Sequence, residues 1–151
     1  MRYYLDTEFN GFGGALLSLA LVPEDGGEFY AILECSEPIH PWVEQNVMPF
    51  LDHVPVGLHS PPLQRQQAAD LLGQYLAVDP APEMVADWPD DIAYLCSLLL
   101  TGPGEMVRVP PLQFRLIPLA GFSTAANSAV PHNALHDARA LREHVQMLEQ
   151  R

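Results

Sequence analysis

Residues 3–10 read YYLDTEFN, an apolar run interrupted by two carboxylates, Asp6 and Glu8. Laid out as a β-strand, Tyr4, Asp6 and Glu8 share one face, while Tyr3, Leu5, Thr7 and Phe9 share the other, because side chains alternate. Like charges about 6.5–7 Å apart on one face repel unless something positive lies between them. Two explanations are open at this point. Either the strand sits at a sheet edge and turns its even face to water, or a divalent cation belongs between the carboxylates.

The flanking sequence is strand-rich. Residues 15–22 (ALLSLALV) read as a buried strand, PEDGG supplies turn chemistry, and residues 28–34 (EFYAILE) alternate like a partner strand. Together they predict an antiparallel meander. The period then changes. HPWVEQNVMPFL is a short helical candidate, and SPPLQRQQAADLLGQYLAV a longer one, with Ser60 as its cap and Leu71, Leu72, Tyr75 and Leu76 as its apolar stripe. EMVAD reads as a strand ending at Asp87. DDIAYLCSLLL reads as a helix entered through WPDD, its aspartates suited to the positive end of the dipole. MVRVPPLQFRLIPL holds one more strand around residues 114–117, and the last 18 or so residues form the clearest helix. The order β-β-β-α-α-β-α-β-α predicts an α/β fold, a mixed sheet with helices packed on its faces.

The 151 residues are expected to form a single domain, 1–151, large enough for a sizeable core. With 48% hydrophobic and 17% charged residues the chain reads as globular. No apolar run reaches the ~20 residues a membrane span needs, and no export signal is visible, so a cytoplasmic protein without membrane contact is expected. Cys35 and Cys96 are too few for a disulfide framework and read as small core hydrophobes. A net charge of −12 argues against a wide nonspecific nucleic-acid surface. All seven basic residues are arginines, which favours a few bidentate contacts over a diffuse cationic field. Bound cations could still invert the charge of an acidic site locally.

The C-terminal helix bears on the opening question. In VPHNALHDARALREHVQMLEQR, Asn133 can cap a helix with Ala134, Ala138, Leu141, Val145 and Leu148 on one stripe. At about 100° per residue Asp137 falls at the edge of that inward face, and His136 points nearly opposite, toward solvent. An inward carboxylate is costly unless paired, protonated or bound to metal. His132 precedes the helix, where a loop can aim its ring at whatever Asp137 holds.

These residues resemble a known family. D-x-E at Asp6 and Glu8, an acidic strand-to-helix junction in the middle, and H-x-A-x-x-D at His132, Ala134 and Asp137 are similar to the three motifs of the DEDDh 3′-5′ exonuclease superfamily. The resemblance spans nearly the whole chain. The short length, the YLDTEF opening and IAYLCSL make it most like the short bacterial 3′-5′ exoribonucleases. It implies a ribonuclease H-like fold, two divalent ions (Mg²⁺ or Mn²⁺), and Asp6, Glu8, Asp137 and one central aspartate as ligands, with Asp6 bridging. It implies His132 as the general base, and removal of nucleoside 5′-monophosphates from the 3′ end of a single strand, RNA favoured over DNA. ADWPDDIAYL offers Asp87, Asp90 and Asp91 for the central ligand. If DIAYL fills the family's D-Φ-x-x-L pattern the ligand is Asp91, with Asp87 the rival because it ends the strand, and Asp90 then caps the helix.

Phe9, Asn10 and Gly11 follow the acidic strand and are candidates to line a pocket for the terminal nucleotide, although Phe9 also reads as core. Trp88 reads as packing or as a stacking surface, and Arg139 and Arg142 as solvated helix charges or phosphate guides. The stiff VPPLQFRLIP segment offers a surface on which two copies could pair. Two other readings compete. The adjacent His136-Asp137 resembles HD-type metal phosphohydrolases, but the 14 residues after Asp137 hold no further aspartate. An exonuclease-like, non-catalytic binding or interaction module is the second alternative.

Overall fold

The meander expected at the start of the chain is present. β1 (Arg2–Phe9), β2 (Leu16–Pro23) and β3 (Phe29–Ile32) pair antiparallel in sequence order. α1 (Pro41–Asn46) and two short 3₁₀ turns lead to α2 (Arg65–Leu76), β4 (Glu83–Ala86) and α3 (Pro89–Leu99). A hairpin of β5 (Leu100–Gly102) and β6 (Glu105–Met106) follows, then β7 (Gln113–Leu116), a single turn α4 (Thr124–Asn127) and the long α5 (Ala134–Glu149). These elements belong to a computed structural model that describes residues 1–151.

The five-stranded sheet has the order β3-β2-β1-β4-β7, with β4 parallel to both of its neighbours. β1 is therefore the middle strand, and the edge-strand explanation of Asp6 and Glu8 is wrong. Both faces of β1 are covered. Tyr3 and Leu5 pack with Leu72 and Leu76 of α2 and Leu95 and Leu98 of α3 in one core, while Tyr4 packs with Leu135, Ala138 and Leu141 of α5 in the other. A three-strand antiparallel ribbon extended by parallel strands, with helices on both faces, has the ribonuclease H-like architecture. No helix is long and apolar enough to cross a membrane.

Several local expectations need correction. Ser60 does not cap α2: the helix starts five residues later, where Gln64 and Gln67 form a reciprocal capping box. Its buried stripe runs through Ala68, Ala69, Leu72 and Leu76, which leaves Leu71 exposed. Leu148 is likewise exposed. Neither cysteine is buried core, since Cys35 is half-buried and Cys96 exposed. The β5–β6 hairpin takes over where the LLL run predicted more helix, the chain reversing at Gly104, which adopts a positive φ of 74°.

Candidate active site

At the carboxyl ends of β1 and β4 the chain opens into a cleft of about 880 Å³, in the usual position for a ligand site in such a sheet. β1 delivers Asp6 and Glu8 to its floor. Between Glu8 and Phe9 the β1–β2 register slips, pairing Glu8 with Ser18 but Phe9 with Leu16. Such a bulge re-aims the side chains beside it. Although Asp6 and Glu8 share a face, each joins a different set of partners.

One set contains Asp6, Asp87 and Asp91, the other Glu8, His132 and Asp137, and in each the ligand atoms lie within 4.8 Å of one another. Asp87 directly follows β4. Asp91 lies in the first turn of α3, where its Oδ1 accepts from the Thr7 backbone N–H at 3.0 Å and the Thr7 hydroxyl at 2.6 Å. Thr7, on the odd face of β1, thus anchors a carboxylate that clusters with Asp6 on the even face. Asp137 sits in the first turn of α5, whose N-cap Asn133 accepts from Leu135 N–H at 3.1 Å and donates to the Phe50 carbonyl at 2.8 Å. His132 immediately precedes that cap with a positive φ of 61°, a conformation that costs a non-glycine residue about 1–3 kcal/mol and that surrounding structure must enforce. Its ring meets Trp42 edge-on, centroids 5.0 Å apart.

Two ionised carboxylates about 4.8 Å apart repel by roughly 3–4 kcal/mol at an effective dielectric near 20. Three of them together would cost as much as a typical domain's entire stability of about 5–15 kcal/mol. Such a group must bind protons or cations. In the metal-free protein, burial and then the neighbouring Asp91 push Asp6 well above the usual carboxylate range. Burial pushes Glu8 up to about 8, Asp91 to about 7 against the opposing Thr7 hydrogen bond, and Asp137 to about 6. Burial alone lowers His132 below its ordinary value.

These shifts predict an unusual pH dependence. From about pH 4, where unfolded carboxyls ionise, to about pH 8, the folded metal-free chain retains protons that the unfolded chain has lost. Its stability therefore falls as pH rises through that window. The metal-free protein is expected to melt at a higher temperature at pH 5 than at pH 8, and saturating Mn²⁺ to remove or reverse that slope. A metal-free melting temperature that rises toward pH 8 would contradict the shifts.

Phe9, Asn10 and Gly11 all line the cleft. Phe9 is neither simple core nor free: its ring stacks on Tyr94 at 4.6 Å, leaving it half-buried. The Asn10 side chain is fully engaged, donating to Glu37 and the Pro38 carbonyl at 2.9 Å each and accepting from His40 N–H at 2.7 Å. It braces the loop before α1, so only its backbone is available to a ligand. Gly11 has a φ of 77°, which suits glycine.

Asp90 makes no capping bond, because Trp88 occupies the N-cap position and its indole N–H donates to Asp90 Oδ2 at 2.7 Å. Trp88 is half exposed at the cleft and is not core packing. His136 lies outside the cleft and contacts the His53 carbonyl at 2.8 Å, which removes the His-Asp pair of the HD reading. Arg139 is neither solvated nor near the floor but forks onto Glu28 at 2.7 and 2.6 Å, and Arg142 donates to the Pro23 carbonyl at 3.3 Å. No arginine lines the cleft. Its walls are aromatic instead, with Phe12, Trp42 and Phe122 among residues that the sequence patterns do not single out.

A ribonuclease H-like sheet whose central strand ends in a buried, histidine-flanked group of carboxylates defines the class of this protein. No protein-family profile matches the chain. It is similar to a 3′-5′ exoribonuclease of Mycobacterium tuberculosis strain H37Rv, and to the protein of that description in strain CDC 1551 / Oshkosh, each 34% identical over 119 residues. The match covers 74% of this chain and 66% of each relative, just under two thirds of their length.

Proposed function

We propose that this protein is a metal-dependent 3′-5′ exonuclease acting on single-stranded nucleic acid, RNA in preference to DNA, and releasing nucleoside 5′-monophosphates. One observation carries the reading. Asp6 Oδ2 and Asp137 Oδ1 are buried without any hydrogen-bond partner, one in each of the two adjoining acidic sets. Buried polar atoms are rarely left unpaired, and an orphaned carboxylate oxygen is what a missing cation leaves behind. The donor set is carboxylate oxygen without thiolate, with one imidazole beside it, which fits Mg²⁺ or Mn²⁺. The preference for RNA follows the description of the mycobacterial relatives.

Asp6, Glu8, Asp91 and Asp137 would hold two such ions, which supply charge neutralisation at the attacking and leaving oxygens of an in-line displacement. Thr7 fixes Asp91 by two hydrogen bonds, and Asn133 fixes the start of the helix that presents Asp137. His132 takes the proton from the attacking water. Burial favours its neutral form at neutral pH, so the ring can accept that proton. Phe9, Phe12 and Trp88 offer ring faces at the cleft on which terminal bases can stack, while Gly11 allows close backbone approach.

The test is a cleavage assay with 5′-labelled single-stranded RNA and matched DNA, each with Mg²⁺, Mn²⁺ or EDTA. A ladder shortening from the 3′ end, faster on RNA and absent with EDTA, is expected. Shortening that survives EDTA, or no shortening under any condition, would overturn the proposal.

A further inference from the structure

Asp87 takes no part in the four-ligand scheme, yet its position demands an account. In the parallel pairing of β1 with β4, Tyr4 lies opposite Val85, so the same register continued by two residues sets Asp87 beside Asp6. Adjacent strands run about 4.8 Å apart, in keeping with the observed clustering of Asp6, Asp87 and Asp91. Asp87 is half-buried and joins none of the ion pairs in the structure. Nor does it cap α3, whose N-terminus carries no side-chain cap. A third carboxylate placed beside two others with no cationic partner only destabilises the metal-free fold.

The donor geometry on this side suggests what it does. Asp91 already commits Oδ1 to Thr7, while Asp6, more than nine-tenths buried, leaves Oδ2 unpartnered. The opposite set offers the oxygens of Glu8 and Asp137, with the His132 ring beside them. Without Asp87 the Asp6 side would offer fewer oxygens to a cation that prefers six. We infer that Asp87 is a fifth carboxylate of the cation site, holding together with Asp6 and Asp91 the ion on the β4 side, directly or through a water of its shell. The inference rests on the proposed two-cation site, and it replaces a choice between Asp87 and Asp91 with a joint role.

Its test reads Mn²⁺ binding to the full chain without substrate, by calorimetric titration, for wild type, Asp87→Asn and Asp90→Asn. Wild type is expected to bind two ions. Asp87→Asn should weaken one of them about tenfold or more and leave the other unchanged, as loss of a ligand or of a residue orienting one does. Asp90→Asn, which alters a neighbouring carboxylate outside the cluster, should match wild type. The metal-free melting temperature of Asp87→Asn should rise, which confirms folding and reports the lost repulsion. If wild type binds two ions and Asp87→Asn binds both equally well, the role of Asp87 is refuted and the nuclease reading stands. If wild type binds none, both fall.

Discussion

Replacing Asp6 with alanine is expected to lower turnover of single-stranded RNA by about a thousandfold or more while raising the melting temperature of the metal-free protein. The two effects have one cause. Asp6 lies on the central strand, buried, and it is raised by burial and by the charges of Asp91, Glu8, Asp137 and Asp87. It faces charges of both acidic sets, more of them than any other carboxylate there. Removing it relieves a repulsion that the metal-free fold offsets only by holding protons. On the proposed mechanism it also removes a ligand shared by two cations, whose contribution to charge stabilisation is several kcal/mol, or roughly three orders of magnitude in rate. Asp6→Asn keeps the shape and should behave alike, which separates charge from cavity. Assays of both variants, paired with metal-free melting curves, check this. Turnover within tenfold of wild type would remove Asp6 from the chemistry.

His132→Ala is the second large effect, a fall in turnover of about 10²- to 10⁴-fold, the usual worth of a positioned general base. Mn²⁺ affinity and substrate affinity should stay close to wild type, because the carboxylates remain. The backbone at His132 allows a sharper version. With φ at 61°, an L side chain is strained there, so His132→Gly should melt at a higher temperature than His132→Ala while being equally slow. Steady-state turnover, calorimetric Mn²⁺ titration and melting curves of the two variants check the set. An alanine variant that retains full turnover would exclude the ring as base, and would favour a binding or interaction role for the site.

The two ends of the chain are legible in the sequence because their signals are local. Alternation in YYLDTEF and the 3.6-residue period around Asp137 each place a carboxylate against a buried face, where it is costly unless paired or ligated. The cap of the last helix is equally local, and Asn133 fills it as its position suggests. The middle of the chain is harder. Whether β1 is central or an edge depends on β4 crossing over to pair with it, a contact between residues some 80 positions apart. Choosing between Asp87 and Asp91 from ADWPDD requires the same information, since strand register places one and helix entry the other. The bulge after Glu8 leaves no mark in composition. Arg139 looks free on a helical wheel because its partner, Glu28, lies 111 residues away. Trp88 resembles packing in the sequence because exposure at a cleft is decided by what surrounds the cleft.

The absence of arginine from the cleft has a consequence for the sequence of binding events. With five carboxylates in its lining and a chain charge of −12, the metal-free site presents a negative field to any polyanion. On the proposed two-cation reading, cations load first, and only then does the floor turn from repelling a phosphate to attracting one. The divalent ion would in that sense be the gatekeeper of affinity as well as an aid to chemistry, so withdrawing it should release the strand and not merely leave it uncut.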